Sequence, residues 1–169
     1  MAIMNIGVIG ANECNQDIYN IAERVGSLIA EKSAVLVCGG RRGVMEAAAK
    51  GAKKFKGKTI GILPGLNRNE ANNFIDYPIA TGIGQARNLI VVLNSDAIIA
   101  VGGEYGTLSE IALALKHGIS VVALSSWALE KICDEKDMNN FFPVNTAEEA
   151  VHKAFNLAQQ KKSLKKILE

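Results

Sequence analysis

The chain has 169 residues, of which 49% are hydrophobic and 21% are charged, and its formal net charge is +2. This length fits one domain with a sizeable core, and the apolar fraction excludes an intrinsically disordered chain. The small net charge argues against nucleic acid or a membrane as the main partner. We expect a cytoplasmic protein, because no segment is long enough to span a bilayer and the N-terminus lacks the basic region of a signal peptide.

Short apolar runs alternate with amphipathic ones along the whole sequence. Five apolar runs predict buried strands at residues 5–10, 34–38, 59–63, 97–101 and 120–124. Two weaker runs predict short additional strands at residues 78–81 and 141–144. Apolar residues at helical spacing predict helices at residues 16–30, 44–54, 86–94, 107–117 and 146–160. The polar segment 66–77 is predicted to be a surface loop. Residues 160–169 are predicted to form a basic helical tail, either a solvated face or a docking arm.

The order of these elements predicts the fold class. Continuous apolar strands separated by helices indicate a parallel sheet that is covered on both faces. No linker or change of composition divides the chain. We therefore predict that residues 1–169 form a single Rossmann-like α/β domain, a doubly wound parallel sheet of six to seven strands with helices on both faces.

The cysteine and histidine residues predict neither disulfides nor a metal site. Cys14, Cys38 and Cys133 are far apart and include no CxxC pair. We expect these thiols to be reduced and mostly buried. His117 and His152 lie on predicted helices without clustered ligand residues, so no metal site is proposed.

Three glycine-containing segments follow predicted strands, where a doubly wound sheet binds its ligands. We name them the first glycine loop (Gly10, Ala11, Asn12), the second glycine loop (Gly39, Gly40, Arg41, Arg42, Gly43) and the third glycine loop (Gly102, Gly103, Glu104, Tyr105, Gly106, Thr107). The second and third share the pattern G-G-x-x-G directly between a strand and a helix. Glycine allows backbone N–H groups to approach a ligand, and the start of the next helix favours an anion. We predict a binding site for a small phosphorylated ligand, with arginine side chains adding charge.

A structural explanation of these loops is also open. A tight turn from strand to helix requires glycine for geometry alone, but two matching loops favour a ligand site. Two well-known phosphate motifs are absent. Residues 51–59 imitate a Walker A loop, but their glycine spacing is wrong and they precede a strand. The G-x-G-x-x-G motif of NAD-binding proteins is absent from the sequence, so NAD is not an expected ligand.

Two charged residues, Glu110 and Arg87, each allow a structural and a functional interpretation. Thr107 to Glu110 matches a capping box, which would stabilise the start of a helix at Thr107 by about 1 kcal/mol. Alternatively, a carboxylate beside a phosphate loop indicates chemistry. Arg87 opens another predicted helix, and it is either an exposed arginine, a clamp for an anion or a partner for Glu110.

The stretch from Gly84 to Glu110 resembles the Lonely Guy family of cytokinin-nucleotide phosphoribohydrolases, proteins long mislabelled as lysine decarboxylases. The family signature PGGxGTxxE is matched by Gly102, Gly103, Gly106, Thr107 and Glu110, with one residue more between the glycine pair and Gly106 than in the signature. Arg87 falls on the family's arginine, and its spacing to Glu110 (110 − 87 = 23) fits. The segment GGRRGVM in the second glycine loop is similar to the family's upstream GGxxGxM, and the resemblance extends from Ile6 to about Leu124.

Three departures from the signature resemble the neighbouring branch of molybdenum-cofactor carrier proteins. Val101 replaces the signature proline, Gly84 and Gln85 replace Met-His, and Asn88 replaces a lysine. This branch implies binding of a pterin-phosphate cofactor rather than cleavage of nucleotides. The resemblance therefore implies a carrier-like binding protein whose bound ligand is a nucleotide or molybdenum cofactor and which requires no cofactor for its own function.

The alternative function that the resemblance implies is a phosphoribohydrolase acting on a nucleoside 5′-monophosphate. Glu110 would then stabilise an oxocarbenium-like cation or orient water, and Arg87 would position the carboxylate or the phosphate. A pyridoxal-phosphate lysine decarboxylase is not expected, since no lysine stands in a recognisable Schiff-base context.

The predicted helices 86–94 and 107–117 are apolar around most of their circumference. A helix that packs against a sheet needs only one apolar stripe, so the other face needs a second cover. Neighbouring helices of the same chain are one candidate. We favour a partner subunit and predict a homodimer or a higher homo-oligomer, an arrangement that the family resemblance also implies.

Overall fold

The computed structural model describes residues 3–129 and 138–168. Cys133 lies outside the described residues. The strands and helices, numbered in chain order, are β1 (Asn5–Gly10), α1 (Gln16–Glu31), β2 (Val35–Cys38), α2 (Val44–Lys54), β3 (Lys58–Leu63), β4 (Tyr77–Ala80), α3 (Arg87–Leu93), β5 (Ala97–Val101), α4 (Tyr105–Lys116), β6 (Val121–Leu124), β7 (Phe141–Val144) and α5 (Ala147–Leu168). Short 3-10 turns occur at Arg68–Glu70 and Gly84–Ala86.

Seven parallel strands form one sheet in the order β4-β3-β2-β1-β5-β6-β7. The chain builds outward from β1 to β4 and then returns to place β5 beside β1. Gly10 at the end of β1 is paired with Val101 at the end of β5. Ligands of doubly wound sheets bind at such a reversal of strand order, so the fold brings the three glycine loops to one edge of the sheet.

The side chains of the central strands alternate between two hydrophobic clusters. Ile6 and Val8 of β1 face the cluster under α1, α2 and α5, whereas Ile9 faces the cluster under α3 and α4. Helices therefore cover both faces of the sheet, and the predicted Rossmann-like α/β fold is confirmed. In the part of the chain that the structure describes, no helix has the length and apolar character needed to cross a membrane.

The predicted start of α4 at Thr107 is wrong. The helix begins two residues earlier, at Tyr105, because Gly103 adopts a φ of 142° and turns the chain into the helix before Thr107. Glu104 is the N-cap residue, and its backbone N–H donates to the Thr107 hydroxyl at 3.4 Å. Thr107 therefore caps from the third helical position, and Glu110 is a buried residue of the second turn rather than part of the predicted capping box.

Candidate functional site

A cavity of about 570 Å³ opens at the carboxyl ends of β1, β2 and β5. Its size is in the range of pockets that hold small organic ligands. Sixteen residues from all three glycine loops and from α2, α3 and α4 line it, namely Ile9, Gly10, Ala11, Asn12, Gly39, Arg41, Met45, Gln85, Arg87, Asn88, Glu104, Tyr105, Gly106, Thr107, Ser109 and Glu110.

Arg87 is the first residue of α3, and its side chain reaches the end of β2. Arg87 is only 6% exposed, and its guanidinium lies against Gly39, where a Cβ atom would be 2.4 Å from Nη1. Glycine at position 39 is therefore what allows the guanidinium to lie there. Among the described residues, Arg87 Nε has no hydrogen-bond partner. An unpaired buried N–H on a charged group is costly, so the described residues leave the guanidinium of Arg87 incompletely satisfied beside the cavity.

Glu110 on α4 faces Arg87 across the cavity floor. Arg87 Nη1 and Glu110 Oε1 are 3.6 Å apart, and both side chains are 8% exposed. Burial raises the pKa of Glu110 to about 7, although the positive charge of Arg87 opposes this shift. Burial also lowers the pKa of Arg87, and the Glu110 carboxylate counteracts it. The Glu110 carboxyl can therefore exchange a proton near neutral pH.

Cys38 closes the end of β2 next to this ion pair. It is fully buried, and burial raises the pKa of its thiol to about 12. Its sulfur accepts a hydrogen bond from the Gly40 N–H at 3.3 Å. Cys38 is therefore a neutral packing residue, as the sequence predicted, whereas Cys14 is half-buried.

A model of the SLOG cluster4 family matches residues 3–153 of the chain. The chain belongs to the SLOG cluster4 family. Two solved structures have the same fold along almost their whole length. The molybdenum cofactor binding protein of Rippkaea orientalis is 39% identical, with a TM-score of 0.87, over 93% of this chain and 98% of that chain. The molybdenum cofactor carrier protein of Chlamydomonas reinhardtii is 36% identical, with a TM-score of 0.87, over 94% and 99%.

A more distant relative of this SLOG cluster4 chain is the cytokinin riboside 5′-monophosphate phosphoribohydrolase of Mycobacterium tuberculosis. It is 33% identical over 111 residues, which are 64% of this chain and 59% of that protein. The chain thus matches little more than half of that relative's length. Together these relatives confirm the predicted relationship to the phosphoribohydrolase superfamily and to its molybdenum-cofactor carrier branch.

The fold of this SLOG cluster4 chain brings eleven of the residues that the sequence singled out to the cavity wall. They are Gly10, Ala11, Asn12, Gly39, Arg41, Arg87, Glu104, Tyr105, Gly106, Thr107 and Glu110. Five others lie in the loops but not in the wall, namely Gly40, Arg42, Gly43, Gly102 and Gly103. Four of these five are glycines with positive φ, and they shape the turns.

Five residues of the cavity wall were not predicted as site residues from the sequence: Ile9, Met45, Gln85, Asn88 and Ser109. Two of them connect α3 to the third glycine loop, because Asn88 Nδ2 donates to Ser109 Oγ at 3.1 Å and Ser109 Oγ donates to the Gly106 carbonyl at 2.7 Å. Their positions next to Arg87 and Glu110 in the sequence were the signal that could have identified them.

Asn72 was also missed, and it fixes the second glycine loop from outside the cavity. Its backbone N–H donates to the Gly40 carbonyl at 2.9 Å. Its side-chain Nδ2 donates to the same carbonyl at 3.2 Å and to the Arg41 carbonyl at 2.6 Å. The polar segment predicted as a surface loop is therefore tied to the second glycine loop at this point.

Proposed function

We propose that this chain binds a phosphate-bearing, nucleotide-like molecule in the cavity and that it acts as a carrier-like protein with molybdenum cofactor as its cargo. The observation that carries the proposal is the buried guanidinium of Arg87, a charged donor that belongs to the cavity wall. A phosphate oxygen is an acceptor that suits this donor. Its negative charge would also be compatible with the guanidinium in a site removed from water.

The surroundings of Arg87 favour an anionic ligand as well. The second and third glycine loops lead into α2 and α4, whose N-terminal ends carry partial positive charge. Arg41 adds a further guanidinium to the wall. Glu110 is the opposing charge, and its raised pKa means that it is partly neutral near pH 7, which limits repulsion of a phosphate.

The cargo is inferred from the relatives. The names of the Rippkaea and Chlamydomonas proteins refer to molybdenum cofactor, and each of those structures is matched over at least nine-tenths of its length. A pterin phosphate combines a planar heterocycle with an anionic group, and the cavity offers amide side chains, an aromatic ring and a cation for these parts.

Calorimetric titration with molybdopterin and with nucleoside 5′-monophosphates tests the proposal. We expect binding of at least one class, and we expect Arg87→Ala to weaken it by about a hundredfold because a charge-assisted hydrogen bond is lost. Arg24→Ala is the matched control, since Arg24 of α1 pairs with Glu148 of α5 and is not part of the cavity wall. Absence of binding of both classes at millimolar ligand would refute the proposal.

The second candidate function is hydrolysis of a nucleoside 5′-monophosphate, and Glu110 is the observation that favours it. A buried carboxyl with a pKa of about 7, 3.6 Å from an arginine, is typical of catalytic sites. In the proposed step the C1′–N bond breaks, and its electron pair and a proton go to the base. A hydroxyl group from water then joins C1′ to give ribose 5-phosphate, and the Glu110 carboxylate stabilises the oxocarbenium-like cation.

Release of free base from AMP at a series of pH values tests this candidate. Cation stabilisation requires the carboxylate, so the rate should rise with pH through about 7 and then level off. Glu110→Gln should abolish base release while AMP still binds. If the wild-type protein releases no base from any purine or pyrimidine monophosphate, the hydrolase candidate is excluded and the carrier proposal remains.

We also propose a homodimer formed through the outer surfaces of α3 and α4. Leu93 at the end of α3 is 54% exposed and Ile83, just before it, is 50% exposed. Exposed apolar side chains on a helix and in the segment before it are compatible with a subunit contact. Light scattering after gel filtration should give the mass of two or more chains, and Leu93→Glu should reduce it. A monomeric mass at tens of micromolar would contradict the proposal.

A further inference from the structure

An exposed aromatic ring lies at the edge of the cavity. Tyr105, the first residue of α4, lines the cavity and is 83% exposed. Tyr105 is the one aromatic residue among the described residues that line the cavity. A tyrosine ring has a large apolar face and a polar end, so its exposure beside a binding cavity provides a surface for a partner ring.

Trp127 supports this ring. The centroids of the two rings are 6.0 Å apart and their planes are tilted by 36°, a usual geometry for an aromatic pair. Trp127 Nε1 donates to the Glu104 carbonyl at 3.4 Å, and the indole packs against the cluster under α3 and α4. Trp127 is therefore anchored, and its contact with Tyr105 limits the positions that the tyrosine ring can take. A ligand that stacks on Tyr105 then loses less conformational entropy.

The neighbours of Tyr105 suit the remaining parts of a phosphorylated heterocycle. Gly106 and Thr107, which follow directly in α4, belong to the loop where the phosphate is proposed to bind. Asn12 and Gln85 also line the cavity, and their amide groups offer both donors and acceptors for the polar edge of a ring.

We propose that Tyr105, supported by Trp127, is a stacking platform for the planar heterocyclic ring of the ligand. The inference rests on the proposed function, in which the glycine loops bind the phosphate. It also predicts which ligands bind more tightly. A sugar phosphate without a planar heterocycle gains no affinity from Tyr105, whereas a nucleotide or a pterin phosphate does. Stacking tolerates different rings, since each of them has a π-face.

Two ligands, one with a heterocyclic base and one without, separate this inference from the proposed function. The first is formycin 5′-monophosphate, whose base is attached through a carbon–carbon bond that cleavage of an N-glycosidic bond cannot break. The second is ribose 5-phosphate. Calorimetry should show that Tyr105→Ala weakens binding of formycin 5′-monophosphate by about tenfold, the effect of one lost stack, and leaves ribose 5-phosphate binding unchanged. Tyr105→Phe keeps the ring and should bind both ligands like the wild type.

Each other outcome has a distinct meaning. A wild type that binds neither ligand overturns the proposed nucleotide site together with the stacking platform. Unchanged affinities in Tyr105→Ala, or an equal loss for both ligands, overturn the platform and leave phosphate binding intact. A smaller molecular mass of Tyr105→Ala in light scattering would mean that the ring contacts another subunit, and that result also overturns the platform.

Discussion

The second and third glycine loops have the same G-G-x-x-G pattern but opposite surroundings. Gly39 and Gly40 are buried, whereas Gly103 to Gly106 are exposed. A Cβ atom at Gly39 would overlap the Arg87 guanidinium, and one at Gly43 would lie 2.4 Å from the Ala11 carbonyl oxygen. In contrast, no heavy atom lies within 4 Å of a Cβ atom built at Gly106.

This difference shows that one sequence pattern occurs in two structural settings. In the second glycine loop the missing side chains make room for other parts of the protein, namely the arginine side chain and the first glycine loop. In the third glycine loop, Gly106 leaves room that the described part of the chain does not fill. Such space beside backbone N–H groups at a helix start is what a phosphate requires.

The largest effect in this comparison is expected for Gly39→Ala. The added methyl group would meet Arg87 Nη1 at 2.4 Å and the Met45 sulfur at 2.7 Å, so the buried guanidinium must move. We expect the affinity for a nucleoside 5′-monophosphate to fall by about a hundredfold, because the charge-assisted bonds of Arg87 to the ligand are lost. Calorimetry measures the affinity, and thermal unfolding measures the accompanying loss of stability.

A double variant identifies the cause of this effect. If overlap with Arg87 is the main cause, then Gly39→Ala should cost less stability in an Arg87→Ala background, where the guanidinium is absent and only the overlap with the Met45 sulfur remains. Additive losses of stability in the double variant would show that the methyl group disturbs something else, and the role assigned to Gly39 would be wrong.

The sequence predicted where the second and third glycine loops lie, but not all of their contacts and helix starts. Strands and glycine positions are local signals, so the bounds of β1 and β5 and the places of all three loops agree with the structure. The contact of Gly39 with Arg87 joins distant segments, and no local pattern reports it. The start of α4 was missed for a similar reason: the φ of 142° at Gly103 moves the cap to Glu104, although Thr107 and Glu110 match a capping box.

The next largest effect is expected for Gly43→Ala, and it concerns stability. Gly43 has a φ of 61° and a ψ of −126°, a conformation that alanine adopts only with strain. Its methyl group would also approach the carbonyl oxygens of Ala11 and Asn12. We expect a loss of about 2 kcal/mol in the free energy of unfolding, measured by urea denaturation. A loss below a few tenths of a kcal/mol would show that the first and second glycine loops are less tightly packed than the structure indicates.

Asn72→Ala should have a moderate effect. It should lower the affinity for a nucleoside monophosphate more than it lowers the stability of the fold. The variant loses the side-chain bonds to the Gly40 and Arg41 carbonyls but keeps the backbone bond to Gly40. We expect the affinity for a nucleoside monophosphate to fall by about fivefold, since the backbone that carries Arg41 is held less firmly. Asn67→Ala in the same segment is the matched control, because Asn67 bonds only locally to the Asn69 N–H.

The role of Asn72 depends on Arg41, and this dependence can be measured. In an Arg41→Ala background, Asn72→Ala should have no further effect on affinity, because the side chain that it positions is gone. Losses that simply add would assign Asn72 a general structural role instead.

The smallest effect is expected for Gly106→Ala, and its direction distinguishes the two loops most clearly. Gly106 is the second residue of α4, its φ is not positive, and the space around its Cβ position is open. Alanine there should raise the free energy of unfolding by about 0.5 kcal/mol because the unfolded chain loses flexibility. The same methyl group would reduce the space for a phosphate, so the affinity should fall by about threefold. Gly118→Ala is the control, since Gly118 also has open space but a φ of 65°; it should lower stability and leave affinity unchanged. If Gly106→Ala raises stability without weakening the binding of any phosphorylated ligand, then the open space at Gly106 is not where the phosphate binds.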